Sequence, residues 1–158
     1  PMLCVILKTM KLIAGDIYRI KTKLGFAFFQ YFETSEEIEY IRVLATISEG
    51  GNITQEEIDR KERWTIGFPV KAATRKKIIE RIGNFGIPEN FTTPKYARTP
   101  HNIRGEHLGW HIVDRNTWNL QLKTELDEED LEISPWGIWN DTLPIERLEG
   151  NWSLSDWK

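Results

Sequence analysis

Cysteine is nearly absent from this chain of 158 residues: Cys4 stands alone, so no intramolecular disulfide can form and a reducing compartment suits the sequence. Long apolar runs are missing as well. No stretch approaches the ~20 apolar residues that a membrane span requires. The most apolar segment, Pro1 to Gly15, is interrupted by Lys8 and Lys11 and has no convincing small-residue cleavage site. Met10-Lys11 reads as a natural start, which makes Pro1 to Thr9 an upstream extension and sets residues 1–10 before the core. A cytoplasmic protein without membrane association is the expectation.

Catalytic machinery is equally sparse. There is no Gly-x-Ser-x-Gly elbow and no Gly-rich phosphate loop, and Cys4 has no immediate basic neighbour to lower its pKa. Of the three histidines, His107 and His111 are four apart in a strand-like segment. On a strand that spacing separates them by roughly 13 Å, too far for one metal ion. They read as polar surface or hydrogen-bonded histidines, as does His101. The sequence assigns no catalytic residue, no metal and no cofactor, and the protein is expected not to be an enzyme.

What is present is an ordinary globular balance, with 40% hydrophobic and 28% charged residues, so a packed core rather than disorder is expected. At this length one domain, residues 1–158, is the natural reading. Two features depart from the ordinary. One is seven tryptophans, most of them expected to pack in the core. The other is a split in charge: residues 1–104 hold 17 Lys/Arg against 12 Asp/Glu, and residues 105–158 hold 4 against 12. Such asymmetry bears on partners rather than on fold.

Turn and strand signals dominate the first half. Gly15-Asp16 leads into Ile17–Ile20, Phe26–Phe32 is aromatic and β-prone, and Glu37–Ile47 is apolar on both faces, as a central strand requires. Thr54-Gln55-Glu56-Glu57 matches a capping box and opens a short helix toward Arg63. Trp64–Phe68 returns to strand and stops at Pro69. A main helix is expected over about 72–82, with Ile78, Ile79 and Ile82 on one side and Gly83 as its C-terminal stop. Residues 84–105 read as a long ordered loop. Gly109–Val113 and Trp118–Leu122 read as a hairpin around Asp114-Arg115-Asn116, and a short helix is expected near Pro144–Glu149. The fold class is therefore α+β: a twisted antiparallel sheet or partial barrel, one main helix, and a Trp-rich C-terminal part of the same domain.

Two surfaces qualify as binding sites. Arg75, Lys76, Lys77 and Arg81 would line one side of the 72–82 helix and could grip phosphates, with Phe91 and Tyr96 as stacking rings. Against this nucleic-acid-binding alternative stands a pI near 5.7, whereas typical nucleic-acid-binding domains exceed 9. The second surface is the acidic run Asp127, Glu128, Glu129, Asp130 and Glu132, followed at once by Trp136 and Trp139. A negative patch steers a basic partner into encounter, and tryptophans are favoured anchors of interfaces.

Three stretches, Gly15–Ile20, Trp64–Pro69 and Gly109–Asp114, follow one another along the chain. With them the chain resembles, in pieces over residues 11–122, the immunity protein 26 family of bacterial polymorphic toxin systems. The resemblance implies a cytoplasmic antidote that binds and occludes a cognate toxin domain without catalysis. It carries over no binding residue, and the last 36 residues and the lysine-rich start support it least. The acidic third fits independently, because a basic nuclease toxin is a partner that such a surface can mask.

Overall fold

A computed structural model of the chain describes residues 11–158. Cys4 and the expected extension lie outside the described residues. The architecture is α+β, with two antiparallel sheets and short helices. The first sheet is built from β1 (Asp16–Thr22), β2 (Gly25–Ser35), β3 (Ile38–Ser48), β4 (Trp64–Gly67) and β5 (Ile79–Asn84), in the spatial order β4-β3-β2-β1-β5. The second holds β6 (Tyr96–Ile103), β7 (Glu106–Asp114) and β8 (Leu120–Lys123) in sequence order. Among the described residues three short α-helices accompany them: α1 (Gln55–Ile58), α2 (Val70–Arg75) and α3 (Thr142–Glu149).

The first three strands form a meander because short turn segments separate strongly β-prone runs. The β2–β3 turn places Glu36 and Glu37 at positive φ (50° and 65°), the backbone twist that tight hairpins need. As its two apolar faces require, β3 lies inside the sheet between β2 and β4. Ile41 and Val43 join one cluster with Tyr18, Phe29, Trp64 and Ile66, covered by α2, α3 and the C-terminal tryptophans. Leu44 joins the other with Ile17, Phe28, Ile53 and Ile58. That second face also buries Gln30 and Arg42. The Arg42 guanidinium donates to Gln30 Oε1 and to the carbonyls of Ile58 and Arg60, tying the end of α1 to the sheet. Burial lowers the Arg42 pKa, and the Glu62 carboxylate opposes that shift.

The capping box at Thr54 is present, with its hydroxyl accepting from the Glu57 amide, but α1 ends at Ile58 rather than near Arg63.

The expected helix over 72–82 is corrected. Helix α2 ends at Arg75, Lys76 caps it, and Lys77 turns the chain at φ 61°. The remaining residues form β5, whose Ile79, Glu80 and Arg81 lie opposite Ile20, Arg19 and Tyr18 of β1. Strand wins because β1 needs a partner on its outer edge and the β-branched isoleucines suit pairing. The charges agree as well, since Arg19 bonds Glu80 at 2.8 Å and Arg81 bonds Asp16 at 3.2 Å. Gly83 is a strand residue, not a helix stop. The expected loop 84–105 is also shorter, because Tyr96–Ile103 pairs with β7 as β6.

One extended segment joins the two sheets. Arg98 N donates to Ser134 O and Trp136 N to Arg98 O, on the edge of β6. A few residues on, Gly67 N donates to Gly137 O and Trp139 N to Gly67 O, on the edge of β4. Residues 134–139 thus cover two sheet edges at once, which satisfies backbone groups that would otherwise be stranded.

Candidate protein-binding surface

The acidic run follows β8 directly and folds into a 3-10 turn at Asp130–Glu132. Its carboxylates divide into two kinds. Asp130 is buried and points inward, accepting from Lys123 Nζ at 2.7 Å and from the Asp127 amide at 2.9 Å. Burial alone would raise its pKa, but the Lys123 ammonium and the Asp127 amide hold it below the usual carboxylate range. Asp127, Glu128, Glu129 and Glu132 face solvent, with only Asp127 reaching Lys123, at 3.4 Å. Asp130 therefore shapes the turn, and the other four present its negative charge.

Beneath this turn lies Arg98, fully buried. Its guanidinium donates to the carbonyls of Ile133, Leu131, Leu154 and Trp157, so one side chain gathers the acidic turn and the C-terminal tail. The same group sits 4.7 Å from the Trp110 ring centre and 4.5 Å from that of Trp157. Burial lowers its pKa to about 10, against the attraction of Asp130, so at neutral pH it remains charged.

The indoles form a ladder through this region. Trp64 meets Trp139 and Trp152, Trp152 meets Trp157, and Trp157 stands edge-on to Trp110 at 4.8 Å. Their edge-to-face and tilted geometries are those that aromatic quadrupoles favour. Five tryptophans thus bind the C-terminal segment to both sheets, in line with the expectation that most are structural. Trp139 belongs to that ladder and is half-buried. Trp136 is also half-buried, but its partner is Trp118, 5.1 Å away and nearly half exposed at 48%. The pair Trp118–Trp136 gives solvent access to an aromatic surface near the acidic turn in sequence.

Glu129 and Glu132 form one wall of an open cleft of about 280 Å³ between the sheets. Lys61, Lys95 and the half-exposed Tyr96 also line it.

The basic residues of the nucleic-acid alternative do not come together as a helical face. Arg75 ends α2, Lys76 and Lys77 occupy the turn, and Arg81 lies on β5 bonded to Asp16. Of the expected stacking rings, Phe91 packs against Phe32 and over Arg42, and Tyr96 lies beneath Lys95. The histidines sit on the second sheet. The His101 and His111 rings lie tilted by 47° with centres 4.4 Å apart, and His107 Nδ1 lies 2.9 Å from Asn102 Oδ1. Among the described residues no three His, Cys, Asp or Glu side chains gather as a metal cage. No helix among them is long and apolar enough to cross a membrane.

Sequence reasoning did not select Trp118, Leu120 and Leu122 as surface. Leu120 and Leu122 are 62% and 55% exposed on the edge strand β8. Their alternation was legible, but it identifies a shared face without saying whether that face is covered. Family models, curated proteins and solved structures yield no match to this chain.

Proposed function

We propose that the protein is an immunity protein that binds and occludes a cognate toxin domain without catalysis. The observation that carries this reading is the exposed anionic turn. Asp127, Glu128, Glu129 and Glu132 face solvent on a turn anchored from below by Arg98 and Asp130. A charged surface held in one conformation favours association, because little is lost in ordering it. Attraction to a basic domain, such as a nuclease, raises the rate of encounter. Trp136, with Trp118 against it, supplies the aromatic anchor beside the charge, and Trp139 supports the segment from within the tryptophan ladder. The resemblance noted in the sequence points the same way.

The test is co-purification with the products of adjacent genes, followed by association kinetics. A stoichiometric basic protein partner that survives nuclease treatment is expected. Replacing Asp127, Glu128, Glu129 and Glu132 together with lysine should slow association roughly tenfold or more at low salt and much less at high salt. An unchanged on-rate overturns the acidic-surface mechanism, and recovery of nucleic acid alone overturns the assignment.

A further inference from the structure

The two sheets have four outer edges, and they are treated differently. Those of β4 and β6 are closed by residues 134–139. That of β5 carries Glu80 and Arg81, both drawn into ion pairs with β1, and charged residues discourage pairing with another chain. The edge of β8 has none of these protections beyond its short length and Lys123. Among the described residues no strand or segment pairs with its outer side. Leu120 and Leu122 stand on one face of it beside Val113 and His111 of β7, and exposed Trp118 lies two residues before the strand. A free edge with apolar alternate residues is the template on which an extended peptide adds as a further strand.

The occupant follows from the charge around it. Glu125 comes two residues after the strand, and Asp127, Glu128 and Glu129 continue from it, all exposed. The cation closest to them, Lys123, is engaged by Asp127 and Asp130. In two-fold antiparallel pairing a second copy would set its residues 114–119 beside the acidic turn, and the cation of that segment, Arg115, is already bonded to Glu33 at 3.0 Å. We infer that β8 receives an extended segment of the protein partner, apolar at alternate positions and carrying Lys or Arg at the end beside Glu125–Glu129. Main-chain hydrogen bonds to β8 supply the pairing, Leu120, Leu122 and Trp118 receive its apolar side chains, and the acidic turn selects its charge. The inference rests on the reading of the protein as a partner-binding inhibitor and names the chemistry of what it binds.

The experiment titrates the full chain with synthetic peptides and follows backbone amide resonances. The probes are an alternating Lys/Val heptapeptide, its Glu/Val counterpart, and the Lys/Val peptide N-methylated at alternate amides. The Lys/Val peptide should shift the amides of Leu120–Lys123 and bind roughly tenfold more tightly than either other probe. Leu120→Ser with Leu122→Ser should weaken it by a similar factor while leaving the rest of the spectrum in place, since both side chains are exposed. Equal binding of the N-methylated peptide, or shifts confined to the acidic turn, overturns strand addition. A dimer that these serines dissociate puts a second copy on the edge instead. Binding only by a chain beginning at Lys11 places residues 1–10 there, and either result overturns the inference. A toxin captured with undiminished affinity by the Leu120→Ser/Leu122→Ser protein refutes the β8 site and leaves the inhibitor reading standing. Peptide binding without any toxin partner does the reverse.

Discussion

Replacing Arg98 with methionine should be among the most damaging single changes outside the apolar core. Methionine keeps an unbranched apolar stem about as far as Nε but removes the rest of the guanidinium, the charge and every donor. Four carbonyls, those of Leu131, Ile133, Leu154 and Trp157, lose their shared partner, and two ring faces lose the cation between them. A buried acceptor left unpaired costs about 1–3 kcal/mol, and a partly desolvated cation–π contact contributes about 1–2 kcal/mol. These losses overlap, and relief from burying a charge offsets part of them, so a net loss of about 4 kcal/mol is expected. For a domain of this size each kcal/mol moves Tm by about 2–4 °C, which gives a fall of about 8–16 °C. Urea unfolding followed by tryptophan fluorescence measures it directly, since Trp110 and Trp157 flank the site. Arg75→Met, at an exposed position, serves as the control and should stay within about 0.5 kcal/mol. A loss below about 1 kcal/mol for Arg98→Met would refute the idea that this guanidinium holds the acidic turn and the tail together.

Two further outcomes follow from contacts around the joining segment and the acidic turn. At Gly67 an added Cβ would lie 2.9 Å from Gly137 O and 2.8 Å from Ile38 Cγ2, so Gly67→Ala should destabilise by about 1–3 kcal/mol in urea unfolding. A neutral result would mean that residues 137–138 do not pack closely on β4. Asp130 has its pKa lowered on folding, so its stabilisation is complete above the unfolded value near about 3.9 and is lost as pH falls through the lower folded value. Asp130→Asn should therefore be less stable than the parent at pH 7, with the gap closing in acid below about pH 4. A gap independent of pH would show that the carboxylate's charge contributes nothing.

The amino-acid sequence determined by itself the α+β class, the early meander, the central position of β3, the capping box of α1 and the place of the acidic run. These follow from local chemistry: turn residues, alternation of apolar side chains, and caps act over a few neighbours, so the order of residues is sufficient. It did not determine the state of residues 76–84. Ile78, Ile79 and Ile82 satisfy a helical stripe as readily as a strand, and the free edge of β1, some sixty residues earlier, decides between them. Nor did it separate Asp130 from its neighbours. Five similar carboxylates lie within six positions, and only the approach of Lys123 makes one of them structural. Nor did it single out Arg98, because nothing local reveals that four carbonyls from distant segments converge on it. Tertiary structure also decided which tryptophans are interior and which sheet edge no other described residue covers. Burial depends on what packs from elsewhere in the chain, and an edge is open only when no other segment reaches it.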